Sequence, residues 1–459
     1  MKNKVADTFL FTLLVVSGLL ALHFLPSVSI GGKTLRQVDI LADLRPDMSD
    51  DAMLADSAQM ILPPLPKPVF VDSCKQGVTC IEDYADSTGC GMGFFYEALE
   101  KRAKLGRPVR IAYFGDSFIE ADILTADLRE MLQERFGGCG VGYVSLTSPI
   151  SGFRPTVEHS FEGWTSHTVT DSVGFDRSCQ DLSNRYFSAS PGASVTLKGV
   201  RKYASLLDTC AVSAFYFRSP DSVRVSALVN GKQSSVFNLP GDSLLRTVSV
   251  KGKIGSVKWT VEDADENATF YAATMDPKEG IVLDNFSTRG SSGQQLMGVP
   301  AALLKQYNRL RTYDLIILQY GLNVASEKGV DYNYYKTPMK RVVNYFKKMF
   351  PQASMLIVGI GDREYKTNTG ELRTMPGVRN LIRYQQALAV ETKSAFWNMY
   401  EAMGGEGSIV KMANNKPPMA NYDYTHINFR GGKHVAKMLF DALVYGQEQY
   451  ERRKAYEGE

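Results

Sequence analysis

The 459-residue sequence has no marked excess of charge of either sign, since it contains 52 lysines and arginines and 49 aspartates and glutamates. The formal net charge of +3 provides no clustered basic surface of the kind that binds nucleic acid, which argues against a nucleic-acid partner. We find no internal repeat and no long low-complexity tract. A neutral or weakly charged ligand such as a glycan remains compatible with this composition.

Histidine and cysteine are both scarce, with five and six residues respectively. The cysteines are Cys74, Cys80, Cys90, Cys139, Cys179 and Cys210. Their spacing matches no zinc-binding pattern, and no histidine clusters with them, so we expect no metal site. An even number of cysteines permits disulfides outside the cytoplasm, where Cys74 and Cys80 would close a short loop. Buried or free thiols are the alternative.

The sequence has one long apolar run, at its N-terminus. Lys2 and Lys4 precede an uncharged segment from Thr8 to Gly32, whose apolar centre extends from Phe9 to Leu25. About 20 apolar residues span a bilayer as a helix, so we predict an uncleaved membrane anchor in the inner membrane, with the lysines in the cytoplasm and the rest of the chain on the periplasmic side. A cleaved signal peptide, which would leave a secreted protein, is the main alternative, and a buried helix is the other.

Residues 33 to about 70 are typical of a stalk. Aspartates recur there, and prolines follow at Pro63, Pro64, Pro66 and Pro68. A proline-rich stretch stays extended and acts as a spacer. We therefore expect this segment to hold a folded domain away from the bilayer.

Strand and helix patterns begin at about residue 91. Val109 to Phe114 is a short apolar run typical of a buried parallel strand, and apolar residues then recur at helical spacing. Residues 314–320 and 355–360 predict two further buried strands, and His434 to Tyr450 predicts a closing amphipathic helix. This pattern indicates an α/β fold with a parallel sheet.

Between these parts, residues from about 145 to 280 carry short alternating segments typical of antiparallel strands, with Asn230-Gly231 as a hairpin turn. We therefore predict an antiparallel β-sandwich inserted into the α/β domain. The predicted division is an N-terminal membrane segment at 1–32, a stalk or linker at 33–90, the α/β domain at 91–144 and 281–459, and the insert at 145–280.

Gly115-Asp116-Ser117 directly follows the first predicted strand and precedes its helix. Active sites of open α/β folds form at the C-terminal edge of the parallel strands, so Ser117 is a candidate nucleophile. The following helix would offer backbone N–H groups to a developing oxyanion. The same tripeptide recurs at Gly241-Asp242-Ser243 inside the predicted insert, where it lacks this setting and is interpreted as a turn.

A serine nucleophile needs a base, and His426 is the histidine best placed to supply it. It lies in Asp423-Tyr424-Thr425-His426, just before the final predicted helix. The three-residue spacing lets one turn present both side chains, so that the Asp423 carboxylate fixes the imidazole tautomer. The other four histidines lie in the apolar run, near the start of the insert or within the final helix.

With these residues in place, the chain resembles the SGNH (GDSL-like) hydrolase superfamily, which has four separated blocks in a fixed order. The blocks are matched by Gly115-Asp116-Ser117, Gly290-Ser291-Ser292-Gly293, Gly321-Leu322-Asn323 and Asp423 to His426. The resemblance implies a flavodoxin-like three-layer α/β fold and a catalytic triad of Ser117, His426 and Asp423 without metal or cofactor. It also implies an oxyanion hole formed by the backbone N–H groups of Ser117 and Gly290 and the amide of Asn323.

Each block also has a structural interpretation on its own. The alternatives are a helix N-cap for Ser117, a turn residue for Asp423, a core histidine for His426, a turn or cap residue for Asn323 and a loop glycine for Gly290. Four blocks in the family's order favour the catalytic interpretation. One departure is Val324 after Asn323, where family members often have Asp, which affects the shape of the third block.

A β-sandwich between the first and second blocks is similar to periplasmic peptidoglycan O-acetylesterases, whose insert resembles a carbohydrate-binding module. The resemblance implies a serine esterase that removes O-acyl groups, above all O-acetyl, from a cell-envelope or extracellular carbohydrate such as peptidoglycan. Its expected partners are this glycan and, through the N-terminal apolar helix, the membrane. Trp164 and Trp259 are candidates for stacking on sugar rings, with core packing as the alternative. A polysaccharide O-acetyltransferase with the same triad and an inert glycan-binding protein are the other candidate functions.

Overall fold

The computed structural model describes residues 4–23, 29–30, 33–34, 74–85, 91–171, 173–201 and 209–457. The chain divides into two compact units, Met1–Leu65 and Pro66–Glu459. The first unit contains helix α1 (Lys4–His23) and a short antiparallel pair of strands, β1 (Ser29–Ile30) and β2 (Lys33–Thr34). Within these described ranges no helix is long and apolar enough to cross a membrane, so the membrane anchor stays a prediction. The proline-rich part of the predicted stalk lies outside the described residues.

The second unit contains a central six-stranded sheet in the order β14-β4-β15-β16-β19-β3. Its strands are β3 (Glu82–Asp83), β4 (Val109–Gly115), β14 (Ile281–Ser287), β15 (Leu315–Gln319), β16 (Ser354–Val358) and β19 (Ala395–Trp397). Five of them pair in parallel, and β3 pairs antiparallel with β19 at the edge. The predicted parallel sheet is confirmed, and β3 extends it into the range predicted as a linker.

Helices cover both faces of this sheet. They are α2 (Gly93–Glu100), α3 (Thr125–Phe136), α4 (Ala301–Leu310), α5 (Asn333–Met349), α6 (Pro376–Thr392), α7 (Met399–Met403), α8 (Ser408–Asn414) and α9 (Phe429–Glu457). A short antiparallel hairpin, β17 (Glu364–Lys366) with β18 (Leu372–Thr374), lies between β16 and α6. The predicted closing helix is confirmed as α9.

Alternate side chains of β4 point to opposite faces of the sheet, as the pleat of a strand requires. Ile111 and Tyr113 belong to one buried core that includes Leu128 of α3 and Leu439 of α9. Phe114 faces the other way and packs edge-on against Phe346 of α5, with ring centroids 5.4 Å apart. The central sheet and the helices on its two faces therefore form a three-layer α/β domain.

The insert between α3 and β14 forms one nine-stranded antiparallel sheet. Its strands are β5 (Gly142–Ser145), β6 (Val157–Thr168), β7 (Arg185–Gly199), β8 (Cys210–Ser219), β9 (Val223–Val229), β10 (Gln233–Leu239), β11 (Asp242–Ile254), β12 (Ser256–Asp263) and β13 (Thr269–Met275). Phe215 of β8 stacks on Trp259 of β12 at 5.5 Å, although these strands are not neighbours in the sheet. The sheet therefore folds back over a shared core, as a sandwich does.

A buried arginine joins the insert to the central sheet. Arg311 follows α4 and is fully buried; it forms a bidentate ion pair with Asp276 at 2.7 and 2.9 Å, directly after β13. It also contacts Asp284 of β14 through Nε and Nη2, at 2.6 and 2.7 Å. Burial raises the pKa of Asp276, but the Arg311 charge outweighs it and the net pKa lies below the ordinary value. The ion pair therefore fixes the base of the insert on the sheet.

The disulfide predicted between Cys74 and Cys80 is present in the structure. Cys74 and Cys80 form a disulfide that closes a six-residue separation. Cys179 and Cys210 are buried thiols. Cys90 lies outside the described residues.

Candidate active site

Ser117 lies two residues beyond the C-terminal end of β4, at the edge of the parallel sheet where the sequence places it. The turn after β4 is tight: a Cβ atom on Gly115 would lie 2.9 Å from the Ile119 side chain and 3.1 Å from the Gln319 carbonyl oxygen. Glycine is therefore the residue that fits between the strand and the serine. Ser117 is 6% exposed, so its hydroxyl is shielded but reachable.

The prediction that a helix begins directly after Ser117 is wrong. Helix α3 begins at Thr125, and a short 3-10 turn over Glu120–Asp122 separates the two. Ala121 and Asp122 adopt positive φ angles of +52° and +63°, which no α-helix tolerates. Backbone N–H groups at the start of α3 are therefore not the donors that face Ser117.

The carboxylate of Asp122 holds this turn in its unusual conformation. It is completely buried and accepts hydrogen bonds from Arg154 at 2.8 Å, Thr156 at 2.5 Å and Asn285 at 2.8 Å, with Arg129 beside it at 3.3 Å. Burial alone would raise its pKa, but the charges of the two arginines hold it well below the ordinary value. Nothing in the sequence marks Asp122 as a member of this network, because an aspartate in a helix-like pattern carries no such signal.

The structure brings the three predicted triad residues into one hydrogen-bonded chain. Ser117 Oγ lies 3.1 Å from His426 Nε2, and His426 Nδ1 lies 2.8 Å from Asp423 Oδ2. The other carboxylate oxygen of Asp423 accepts the backbone N–H groups of Thr425 and His426, at 3.0 Å each. Partial burial raises the pKa of Asp423. These hydrogen bonds lower the pKa by more than burial raises it, so the net pKa lies below the ordinary value.

The loop that carries Asp423 and His426 is fixed at its base. The backbone N–H of Asn421 donates to the His426 carbonyl at 2.8 Å, and Ala420 bridges to Ile427 just before α9. Tyr424 has a φ of +51°, which places the residues on either side of it on one turn. Its carbonyl accepts the N–H of Glu364 in the β17–β18 hairpin at 3.0 Å. Three residues of spacing therefore suffice to present both side chains, as predicted.

The predicted oxyanion donors also lie near one another. The side-chain amide of Asn323 donates to the carbonyl of Ser291 at 3.0 Å, which links the third block to the second. The residue before Ser291 is Gly290, whose φ of +73° favours glycine, while a Cβ atom there would meet no atom within 4 Å. Thr288 in the same loop donates its N–H to the Gly115 carbonyl at 2.9 Å, which ties this loop to the turn before Ser117.

Asp116, between the strand and the nucleophile, is almost completely buried. Its carboxylate accepts the N–H of Phe118 at 3.0 Å and the amide of Asn323 at 3.3 Å. Burial raises its pKa to about 6, although the hydrogen bonds and nearby His426 oppose the shift. Asp116 thus connects the first block with the third.

The two tryptophans belong to the core of the insert. Trp259 is fully buried and donates its indole N–H to Ser213 Oγ at 2.9 Å, so the expectation that it stacks on a sugar is wrong. Trp164 is half-buried, donates to the Ser194 carbonyl at 2.7 Å and packs edge-on against Phe270. An alternating strand pattern does not reveal which face of a sheet is covered by another part of the same sheet.

A cleft of about 620 Å³ adjoins this edge of the central sheet. Its walls come from the Glu120–Asp122 turn, from residues 287–289 that directly precede Gly290, and from β6 and the start of β7 in the insert. The cleft therefore lies beside the segments that carry Ser117 and Gly290.

Comparison with known proteins supports the fold. No protein-family model matches the chain, and no curated protein matches it in sequence. A peptidoglycan O-acetylesterase structure is similar, with a TM-score of 0.65 and 21% identity over 80% of this chain and 99% of that one. Two family two carbohydrate esterases, from Cellvibrio japonicus and from Clostridium thermocellum in complex with cellohexaose, cover 67% and 62% of this chain and 98% and 100% of theirs.

Those two esterases are 11% and 12% identical to this chain, with TM-scores of 0.27. The peptidoglycan O-acetylesterase structure, in contrast, aligns along nearly its whole length. The fold implied by the four sequence blocks is confirmed by this similarity, together with the parallel sheet and the separate antiparallel sheet. The chain therefore shares the fold of that structure, with a three-layer α/β domain and an antiparallel β-sheet domain inserted between the first and second sequence blocks.

Proposed function

We propose that this protein is a serine esterase that removes O-acyl groups, most often acetyl, from a cell-envelope carbohydrate such as peptidoglycan. The observation that carries the proposal is the hydrogen-bonded chain from Ser117 through His426 to Asp423. A serine, an imidazole and a carboxylate in this order form the arrangement that activates a hydroxyl for acyl transfer. The structural similarity to a peptidoglycan O-acetylesterase supports the choice of substrate.

The first half of the reaction forms an acyl-enzyme. Ser117 Oγ attacks the ester carbonyl carbon while His426 Nε2 accepts the hydroxyl proton, and the carbonyl oxygen becomes an oxyanion. His426 then returns that proton to the sugar oxygen, and the bond between this oxygen and the acyl carbon breaks. Asp423, bonded to Nδ1 at 2.8 Å, keeps the proton on that nitrogen and stabilises the imidazolium.

Water completes the cycle. His426 accepts a proton from a water molecule, whose oxygen attacks the acyl carbon, and the proton passes to Ser117 Oγ as the acid leaves. The oxyanion in both halves would be held by the N–H groups of Ser117 and Gly290 and by the Asn323 amide. His426 is 37% exposed, so a water molecule can reach the imidazole from solvent.

We also propose that the enzyme acts on the periplasmic side of the inner membrane, held there by the N-terminal apolar segment. The Cys74–Cys80 disulfide supports an oxidising compartment, since such bonds are rare in the cytoplasm. Protease treatment of intact spheroplasts tests the location: a protein facing the periplasm is digested, and one facing the cytoplasm is protected.

The catalytic proposal is tested by hydrolysis of p-nitrophenyl acetate and release of acetate from O-acetylated peptidoglycan. The Ser117→Ala variant is expected to lose both activities. The chain offers a matched control, because Ser243 follows the same Gly-Asp dipeptide on an exposed part of β11, and Ser243→Ala is expected to retain both. Activity that survives in Ser117→Ala would contradict the serine mechanism.

The same assay separates the two alternative functions. An acetyltransferase would move the acetyl group to an added glycan faster than it releases acetate to water. An inert glycan-binding protein would show neither reaction, while Ser117→Ala and the parent would bind glycan equally.

A further inference from the structure

The cleft beside Ser117 is notable for the guanidinium groups in its walls. Arg154, Arg185 and Arg289 all line it, together with the carboxylates of Glu120 and Asp122. His159 also lines it, but burial lowers its pKa to about 4, so its imidazole is neutral at neutral pH. The charge of the cleft therefore depends on how these arginines and carboxylates pair.

Two of the three arginines each pair with a carboxylate: Arg289 has Glu120 to itself, whereas Arg154 shares the single charge of Asp122 with Arg129. Arg289 forms an ion pair with Glu120 and donates from Nε at 3.1 Å. Arg154 donates from Nε to Asp122 at 2.8 Å, which leaves its Nη2 buried without a hydrogen-bond partner. Asp122 is also held by Arg129 behind the cleft.

Arg185 differs from these two. In the part of the chain that the structure describes, its guanidinium forms no ion pair, and its buried Nε has no hydrogen-bond partner. The carboxylate of Asp181 accepts the backbone N–H of Arg185 at 3.3 Å, and it also accepts the Tyr143 hydroxyl at 2.6 Å and the Ser183 N–H at 2.8 Å. A shielded cation with an unused donor is unfavourable unless an anion binds there.

Other polar and apolar groups in the walls of the cleft suit a sugar. The cleft is lined by the hydroxyls of Ser148, Ser166 and Thr170, which can exchange hydrogen bonds with sugar hydroxyls. Phe161 of β6 also lines it and is 37% exposed, so one apolar face is available. A planar guanidinium matches a carboxylate in a two-bond arrangement, and this pairing is stronger than a neutral hydrogen bond.

We propose that this cleft binds a carboxylate carried by the glycan, held by Arg185, so that the protein selects O-acylated acidic sugars. The inference rests on the proposed esterase function. The carboxylate can come from two sources, a uronic acid or the lactyl group of a muramic acid, and both present the same chemistry to Arg185.

The test compares acetate release from three O-acetylated substrates: polygalacturonate, glycan strands with free lactyl carboxylates, and neutral glucomannan. Arg185→Gln is expected to lower the ratio of kcat/KM on an acidic substrate to that on glucomannan by about 10- to 100-fold, mainly through KM. Arg185→Lys keeps the positive charge but loses the planar pair of donors that can bind both carboxylate oxygens. Its ratio should therefore lie between those of the parent and Arg185→Gln. Arg379→Gln, an exposed arginine paired with Glu406, is the matched control and should leave the ratio unchanged.

An unchanged ratio in Arg185→Gln would overturn the proposal, whether activity is lost equally on acidic and neutral substrates or is not lost at all. Thermal unfolding distinguishes a folding defect from a loss of ligand binding, because removal of a cation that forms no ion pair should not lower the Tm. A lower Tm with equal losses would show a structural role for Arg185. Preference for one acidic substrate over the other identifies the source of the carboxylate.

A second measurement does not depend on turnover. Binding of deacetylated acidic oligosaccharides to Ser117→Ala by calorimetry should weaken with salt and should be lost in the Ser117→Ala, Arg185→Gln double variant. Tighter binding of a phosphate-bearing oligosaccharide than of either carboxylate would contradict the proposed ligand. If no substrate is hydrolysed by the parent, the esterase proposal fails, while this binding comparison still decides the role of Arg185.

Discussion

The side-chain amide of Asn323 lies 3.3 Å from the carboxylate of Asp116, so a predicted oxyanion donor contacts the residue that precedes the nucleophile. The same amide lies 3.0 Å from the Ser291 carbonyl. Two acceptors therefore fix its orientation before substrate binds. These contacts use both N–H bonds of the amide, so one of them must turn from its acceptor to the oxyanion when the substrate reacts.

Asn323→Ala should lower kcat by about 10²- to 10³-fold with little change in KM, because the lost donor acts on the charge that develops in the transition state. Steady-state kinetics with p-nitrophenyl acetate measure both constants. A change confined to KM would show that Asn323 binds substrate and does not stabilise the oxyanion. Asn267→Ala is a suitable control, since Asn267 is an exposed loop residue that hydrogen-bonds Asp265 within the insert.

Asp116→Asn should change how stability depends on pH. The folded-state pKa of Asp116 is raised by burial to about 6, above the ordinary value of 3.8. The protonated carboxyl therefore makes its full contribution to stability below pH 4, and this contribution is lost as the pH rises through 6. The Tm of the variant minus that of the parent should become more positive between pH 4 and pH 7. Thermal unfolding across this range checks the slope, and a difference independent of pH would contradict it.

Gly115→Ala should impair both folding and activity. The new Cβ atom would lie 2.9 Å from Ile119 and 3.1 Å from the Gln319 carbonyl, so the turn that carries Ser117 must shift. Overpacking of this kind costs about 1–3 kcal/mol of unfolding free energy. Denaturant unfolding and esterase kinetics measure the two effects. Gly152→Ala, where a Cβ atom meets nothing within 4 Å, should change neither.

Arg311→Met should strongly destabilise the second unit, because it leaves the Asp276 and Asp284 carboxylates buried without their cation. Removing one partner of a buried ion pair costs about 3–5 kcal/mol. Chemical denaturation followed by tryptophan fluorescence reports the change, since Trp259 lies in the insert and Trp397 in the central sheet. Arg373→Met removes an exposed ion pair with Glu371 and should cost less than about 1 kcal/mol.

The chemistry of a triad limits which residue types can serve, so short sequence blocks were enough to select candidate site residues. Four short blocks located Ser117, Gly290, Asn323 and the loop of Asp423 and His426, and the structure places them at one edge of the sheet. The buried strands β15 and β16 were also predicted within one or two residues. Continuous apolar runs are a strong signal when a strand is covered on both faces.

Features that depend on distant contacts were missed. The positive φ angles at Ala121 and Asp122 follow from arginines and a threonine elsewhere in the chain, so helical spacing alone placed the start of α3 too early. The indole of Trp259 is covered because the insert sheet folds back on itself, which an alternating pattern does not encode. The unpaired guanidinium of Arg185 likewise appears only when the neighbouring carboxylates are located.

The strand order of the central sheet has a consequence for the order of events during synthesis. Strand β4 lies between β14 and β15, and both follow the insert in sequence. While the ribosome translates the insert, β4 has no neighbouring strand, whereas every strand of the insert sheet finds its partners within residues 142–275. The insert can therefore mature first on the nascent chain. Strand β4, which directly precedes Ser117, therefore stays unpaired until β14 has been synthesised more than a hundred residues later.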